Sequence, residues 1–206
     1  MMGPAALRRH IARIQRPHAA LSTVECGTAY EHQVIRLLRT LGAQLERIGG
    51  ASDQGIDFRG KWTLPSQPAF YVVGQCKHYE RKKIGPSVIR EWEGVMSRQE
   101  PDSLGVVAAT SGFTRSAVDE ALSSAFPIAL ATIQSDLLRA DDSLQPEEKR
   151  GGAGGANIRG FVWNRAAEPF IGRMMVVKKH YDVRVFELAD PAQFTIQLLW
   201  DGKPLV

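Results

Sequence analysis

Three polar residues interrupt two otherwise apolar stretches of this chain. Asp57 lies within Gly55-Ile56-Asp57-Phe58, and Gln75 and Lys77 close the run that begins at Ala69. Successive side chains of a strand point to opposite faces, so Gln75 and Lys77 share one face and Cys76 takes the other. If the two stretches are neighbouring strands, a carboxylate, an amide and an ammonium converge at one sheet edge. Such a set suits phosphodiester cleavage, which needs a divalent cation to neutralise the phosphate and acidify an attacking water. Mg²⁺ (or Mn²⁺) takes hard oxygen ligands, which Asp57, the Gln75 amide and the Cys76 backbone carbonyl can supply. Lys77 can orient the water or stabilise transition-state charge. The histidines and cysteines do not cluster as zinc requires, and no zinc site is expected.

Glu31 extends this set. It precedes Val34, Ile35 and Leu38 and so borders the apolar stripe of a helix, where a carboxylate needs a cation, a metal or hydrogen-bond donors. A rim glutamate reaching water is the alternative. After Lys77 come His78-Tyr79-Glu80-Arg81-Lys82-Lys83 and then Arg90, cations that could hold phosphates, with Tyr79 able to stack on a base. A solvated charged loop is the competing reading. Ser111, with Gly112 and the helix start that follows, could offer donors to phosphate, whereas Thr114 reads as a helix cap. Each position alone has a plain structural explanation: Lys77 snorkelling, Asp57 capping a turn, Gln75 bonding backbone. The Cys76 side chain reads as packing, and His32 as exposed and without a role.

The elements that must position these residues follow from periodicity. Apolar spacing predicts a helix from Gly27 to Leu41, a short strand at Leu45 to Ile48, a strand at Ile56 to Arg59 and a central strand ending at Lys77. Gly85-Pro86 opens a helix with Val88, Trp92, Val95 and Met96 inside. Leu104 to Ala109 is a buried strand, Thr114 caps a helix through Ala117 and Ala121, and Pro127 to Ile133 is the last core strand. The first three strands are expected to form a meander, and the later alternation of strand and helix implies parallel pairing. The fold expected is α/β, a mixed central sheet flanked by helices, with a C-terminal α+β extension. In that extension Phe161 to Ile171 reads as partly helical, and Met174 to Val177, Val183 to Leu188 and Phe194 to Trp200 as strands before an Asp201-Gly202 turn.

Charge is distributed unevenly. Residues 1–24 carry Arg8, Arg9, Arg13 and Arg16 without an acid, which equals the formal net charge of +4, so the remainder is neutral. Arginines interleaved with Leu7, Ile11, Ile14 and Leu21 suit a mitochondrial presequence and a matrix location, a disordered basic tail being the alternative. Residues 140–157, acidic and then glycine-rich, read as a flexible linker. The expected division is therefore a presequence 1–24, a core 25–139, that linker, and an extension 158–206. No apolar run approaches the ~20 residues of a membrane span. Two cysteines, Cys26 and Cys76, are too few for a disulfide framework.

Taken in order, Tyr30-Glu31, Gly50 through Gly55-Ile56-Asp57-Phe58, Gln75-Cys76-Lys77, and Thr110-Ser111-Gly112-Phe113-Thr114 with Ala117 resemble the successive motifs of Mrr-type restriction endonuclease domains of the PD-(D/E)XK class, over roughly residues 27–133. The resemblance implies that Asp57 and Gln75 are metal-site residues, Lys77 the catalytic lysine and Glu31 an accessory acid. It also implies a divalent metal and a DNA substrate. The common pattern has a second acid where this chain has Gln75. Mrr-like domains often carry this glutamine, yet it removes a negative charge and should weaken metal binding unless Glu31 compensates. The basic N-terminal segment, this domain and the Trp200-Asp201-Gly202 tail also resemble a fungal mitochondrial family named for being required for respiratory growth. That likeness implies a role in upkeep of the mitochondrial genome or its expression. Three readings follow: a metal-dependent nuclease, possible as a homodimer because double-strand cleavage needs two sites; a catalytically silent nuclease fold that binds nucleic acid or a protein; and an assembly factor docking through strands 174–200.

Overall fold

Ser22 starts the first helix by closing a capping box: its hydroxyl accepts from the Glu25 N–H at 3.2 Å while the Glu25 carboxylate accepts from the Ser22 N–H at 2.8 Å. Helix α1 (Thr23–Thr40) thus begins before the glycine at which its apolar periodicity starts, because the cap is set by polar residues. The computed structural model describes residues 22–50, 54–135, 158–180 and 194–205. The expected presequence up to residue 21, the expected linker and the expected strand at Val183 to Leu188 lie outside these residues.

Strands β1 (Ala43–Arg47), β2 (Phe58–Trp62) and β3 (Phe70–Lys77) form an antiparallel meander. Helix α2 (Pro86–Met96) then leads to β4 (Ser103–Ala109), and helix α3 (Arg115–Ser123) to β5 (Ile128–Ile133). Both crossovers give parallel neighbours, β3 with β4 and β4 with β5. The result is the mixed sheet flanked by helices that the patterning implies. β6 (Ile158–Trp163) then pairs antiparallel with β5, completing a six-stranded sheet in sequence order.

Two apolar clusters mark the layers. Tyr30, Val34 and Leu38 of α1 pack on Phe58, Val72 and Val106, and the same cluster takes in Ile171, Met174, Leu198 and Trp200 of the C-terminal segment. Ile89, Trp92, Val95 and Met96 of α2 and Ala117 and Ala121 of α3 pack on the other face, against Val73, Val107 and Leu130. Ile89, not the half-buried Val88, completes the inner face of α2, since it stands one helical turn before Trp92.

The C-terminal segment is helical in part and carries the strands expected at its end, but it opens with a strand that periodicity did not show. Phe161 lies in a strand, opposite Ala131; β-branched and aromatic residues such as Val162, Phe161 and Trp163 favour a pleated surface where an open strand edge can take them. Among the described residues of this segment, helical structure lies at Arg165–Ala167 and in the one-turn helix α4 (Glu168–Ile171), within the stretch expected to be partly helical. β7 (Met174–His180), β8 (Phe194–Trp200) and β9 (Lys203–Pro204) form a separate three-stranded antiparallel sheet, with the turn at Asp201-Gly202. Arg173 pairs with Asp201 and lies 5.6 Å from the centre of the Trp200 ring. No helix among the described residues is long and apolar enough to cross a membrane.

Candidate active site

The meander brings the C-terminal ends of β1 and β3 beside the N-terminal end of β2, and parallel pairing adds the end of β4. Asp57 sits at this junction, one residue before β2 rather than inside it. Its backbone still bridges both neighbours: its N–H donates to Gly74 at 2.8 Å, and its carbonyl accepts from Ile48 at 2.9 Å and Gly49 at 3.1 Å. Its side chain is steered by β3, where the Cys76 N–H donates to Oδ2 at 2.6 Å.

Gln75 is fixed by the turn that delivers Asp57. Its Nε2 donates to the Gly55 carbonyl at 2.9 Å. Gly55 has a φ of +83°, a left-handed conformation that favours glycine, and a Cβ there would stand 3.3 Å from the same amide nitrogen. With the nitrogen so anchored, the amide oxygen is the end that can turn to a cation. Lys77 ends β3 opposite Ala109, half-buried, two residues from Gln75 and so on its face.

Glu31 reaches the site from α1 but arrives with a partner. Arg47, the last residue of β1, donates from Nε to Glu31 Oε2 at 2.6 Å. Gly49 makes room for the meeting. A Cβ on Gly49 would stand 3.0 Å from Glu31 Oε2, 3.3 Å from Arg47 Nη2 and 3.6 Å from Asp57 Oδ1. Two carboxylates and a guanidinium therefore surround the space left by one missing methyl. Arg47 and Gly49 escape sequence reasoning: Arg47 lies inside the short strand expected at Leu45 to Ile48, with nothing local to single out its charge.

The Cys76 thiol registers the local field. Burial pushes it well above its usual range, the Asp57 and Glu31 carboxylates push it further, and the Lys77 ammonium pulls it back. It packs against the cluster that contains Tyr30, as the pleat requires, and stays a protonated thiol.

The basic segment is stitched to the end of β4. Thr110 Oγ1 accepts from the Tyr79 N–H at 2.9 Å and donates to the Tyr79 carbonyl at 2.7 Å, and Ser111 Oγ donates to the Lys82 carbonyl at 2.6 Å. Ile84 bridges to Phe113. The Ser111 hydroxyl therefore holds the loop that displays Arg81, Lys82 and Lys83, all exposed, and its proton is committed there. Arg90 is paired with Glu120 at 3.0 Å, which lowers its value as a phosphate contact. Thr114 caps α3, accepting from the Ala117 N–H at 3.2 Å. A broad groove at the opposite end of the sheet, lined by Arg39, Gly42, Leu64 and Pro68 among others, shares no residue with the site.

A carboxylate, an amide and a lysine at the mouth of a β-meander, under a helix bearing a further acid, define a restriction endonuclease-like domain. The Mrr-type restriction endonuclease family matches residues 25–140, more than half of the chain, and the chain belongs to that family. An uncharacterised mitochondrial protein of Schizosaccharomyces pombe is 36% identical over 126 residues, which is 60% of this chain and 50% of that protein. The mitochondrial "required for respiratory growth protein 7" of Zygosaccharomyces rouxii is 41% identical over 63 residues, 30% of this chain and 24% of that one. These matches thus span half or less of the relatives' lengths. Among solved structures, the MspJI restriction endonuclease in complex with a 27-mer oligonucleotide aligns with a TM-score of 0.41 and 22% identity, over 61% of this chain and 28% of that one.

Proposed function

We propose that this chain is a metal-dependent nuclease that cleaves phosphodiester bonds of DNA in the mitochondrial matrix, in the service of genome maintenance or respiratory growth. The observation that carries the reading is the convergence of Asp57, Gln75 and Lys77 at one sheet end, with the Asp57 carboxylate oriented by the Cys76 N–H. The Arg-rich segment 1–24 and the mitochondrial relatives support the location.

The donor set suits a hard divalent ion. Asp57 Oδ1 and Glu31 Oε2 flank the space that Gly49 leaves open, and the Gln75 amide is anchored by its nitrogen end. Asp57, Gln75 and the Cys76 carbonyl would hold Mg²⁺ or Mn²⁺, with Glu31 as accessory acid; the ion would supply a polarised phosphate and an acidified water. Lys77 places a positive charge beside the scissile group, stabilising the oxyanion and orienting the nucleophile. Arg81, Lys82 and Lys83 hold the backbone, and Tyr79, 45% exposed, is available for stacking. Cutting both strands would need two such sites, which a pair of copies would supply.

One observation favours a second reading, a silent nuclease fold that binds nucleic acid or a protein. Glu31 is already neutralised by Arg47, and Gln75 stands where an acid would add charge. The two are separated by incubating the full chain with linear, circular and branched DNA and with single-stranded RNA, in Mg²⁺, Mn²⁺ or chelator. Asp57→Ala and Lys77→Ala, verified as folded, run alongside. Cutting that needs metal and falls at least ~100-fold in both variants is the expected result. DNA bound equally by all three proteins but never cut would establish the silent fold instead.

A further inference from the structure

We propose that Arg47 couples metal binding to nucleic-acid binding: paired with Glu31 it withholds that carboxylate from the cation, and a backbone phosphate releases it by accepting the guanidinium. The inference rests on the nuclease reading above.

Position comes first. Arg47 Nη2, Glu31 Oε2 and Asp57 Oδ1 lie 3.3, 3.0 and 3.6 Å from the same point over Gly49. Arg47 therefore borders the space a cation shared by Asp57 and Glu31 would occupy. A fixed positive charge there opposes a divalent ion directly, and its salt bridge removes one of the few carboxylates the ion could use. Gln75 sharpens the effect. A centre with a second acid in β3 could hold metal without Glu31, whereas this one has less charge to spare.

Chemistry supplies the release. A guanidinium presents donors along more than one edge, and a phosphate matches its fork at least as well as a carboxylate does. The Arg47 side chain is 32% exposed while Glu31 is 15% exposed, so the cation of the pair is the more open to an incoming backbone. When a phosphate takes Arg47, Glu31 is left as a partly buried carboxylate without its cation, which favours uptake of a metal ion. Binding of either ligand then strengthens the other by the same factor.

A merely structural role for Arg47, holding Glu31 in place as a metal ligand, predicts the opposite sign. Mn²⁺ binding to the full chain without DNA, read from the magnetic resonance signal of the free ion, therefore separates them. Arg47→Ala should bind Mn²⁺ about tenfold tighter than wild type. Arg47→Met, which keeps the aliphatic stem, should do the same and serves if the alanine variant does not fold. In fluorescence anisotropy, wild type should bind a nuclease-resistant duplex about tenfold tighter in Mn²⁺ than in chelator, and Arg47→Ala should show a clearly smaller gain, the part that a metal–phosphate contact supplies by itself. Metal bound equally or more weakly by both Arg47 variants, yet lost in folded Asp57→Ala, overturns the coupling and leaves the nuclease reading standing. If neither wild type nor the Arg47 variants bind Mn²⁺ above the level of Asp57→Ala, with or without duplex, the nuclease reading falls as well.

Discussion

At the residue scale the site depends on groups held by backbone as much as by one another. Asp57 is oriented by a strand N–H, Gln75 by a turn carbonyl, and Ser111 by the loop it fastens. Beneath them Tyr30 is fully buried, donating its hydroxyl to the Ile133 carbonyl at 3.0 Å. Burial pushes the Tyr30 phenol upward, and the Cys76 thiol with it. Both groups are acids whose folded pKa is raised. Their contribution to stability is complete below the unfolded values, about pH 8.5 for a thiol and 10 for a phenol, and is lost as pH rises beyond them. Urea denaturation between neutral pH and pH ~11 should show stability falling across that window, with a shallower fall in Tyr30→Phe. An identical alkaline slope in the variant would remove Tyr30 from the account.

At the element scale, Asn164 ties the sixth strand to the rest of the domain. Its Oδ1 accepts from the N–H of Ile128 and of Ala167, both at 3.1 Å, and its Nδ2 lies within 3.1 Å of the carbonyls of Ala121, Ser124 and Phe126. One buried amide thus closes the end of α3, the start of β5 and the turn after β6. Asn164→Ala would strand several buried backbone groups and should destabilise by at least about 2 kcal/mol. The check is a lowered urea midpoint with an unchanged denaturant slope; a loss below ~0.5 kcal/mol would mean water replaces the amide at no penalty. The same logic explains why residues beyond 158 cannot be read as a mere appendage: β6 covers the edge of β5, and Trp200 and Leu198 complete the cluster under α1.

At the scale of the whole molecule, overall charge is a poor guide to the proposed nucleic-acid face. The formal excess of +4 equals the four arginines of residues 1–24, while among the site's own cations Lys77 is half-buried, Arg47 and Arg90 are paired, and Arg81, Lys82 and Lys83 are displayed. If these three contact phosphates, replacing all of them with alanine should reduce the slope of log affinity against log salt by about 2 to 3. Anisotropy titrations of duplex DNA across a range of KCl would measure it. An unchanged slope would move the interface elsewhere.

The sequence by itself determined the order of elements through β5, the meander followed by parallel strands, and the identity of Asp57, Gln75 and Lys77 as a candidate set. Those features are written in local periodicity and in polar residues that interrupt apolar strands, both of which survive without knowledge of what lies opposite. Even Thr114 as a cap is a local property of a helix start. Only tertiary structure decided that Arg47 claims Glu31, that Arg90 claims Glu120, and that the Ser111 proton goes to a neighbouring carbonyl. Each is a contact between elements far apart in the chain, and a charged side chain's partner is set by geometry that composition does not encode. For the same reason the reading of Phe161 to Ile171 as partly helical holds at Arg165–Ala167 and Glu168–Ile171, while the strand that opens the segment, Ile158–Trp163, went unread. The open edge of β5 was there to receive it, and short-range pattern carries no record of a vacant edge.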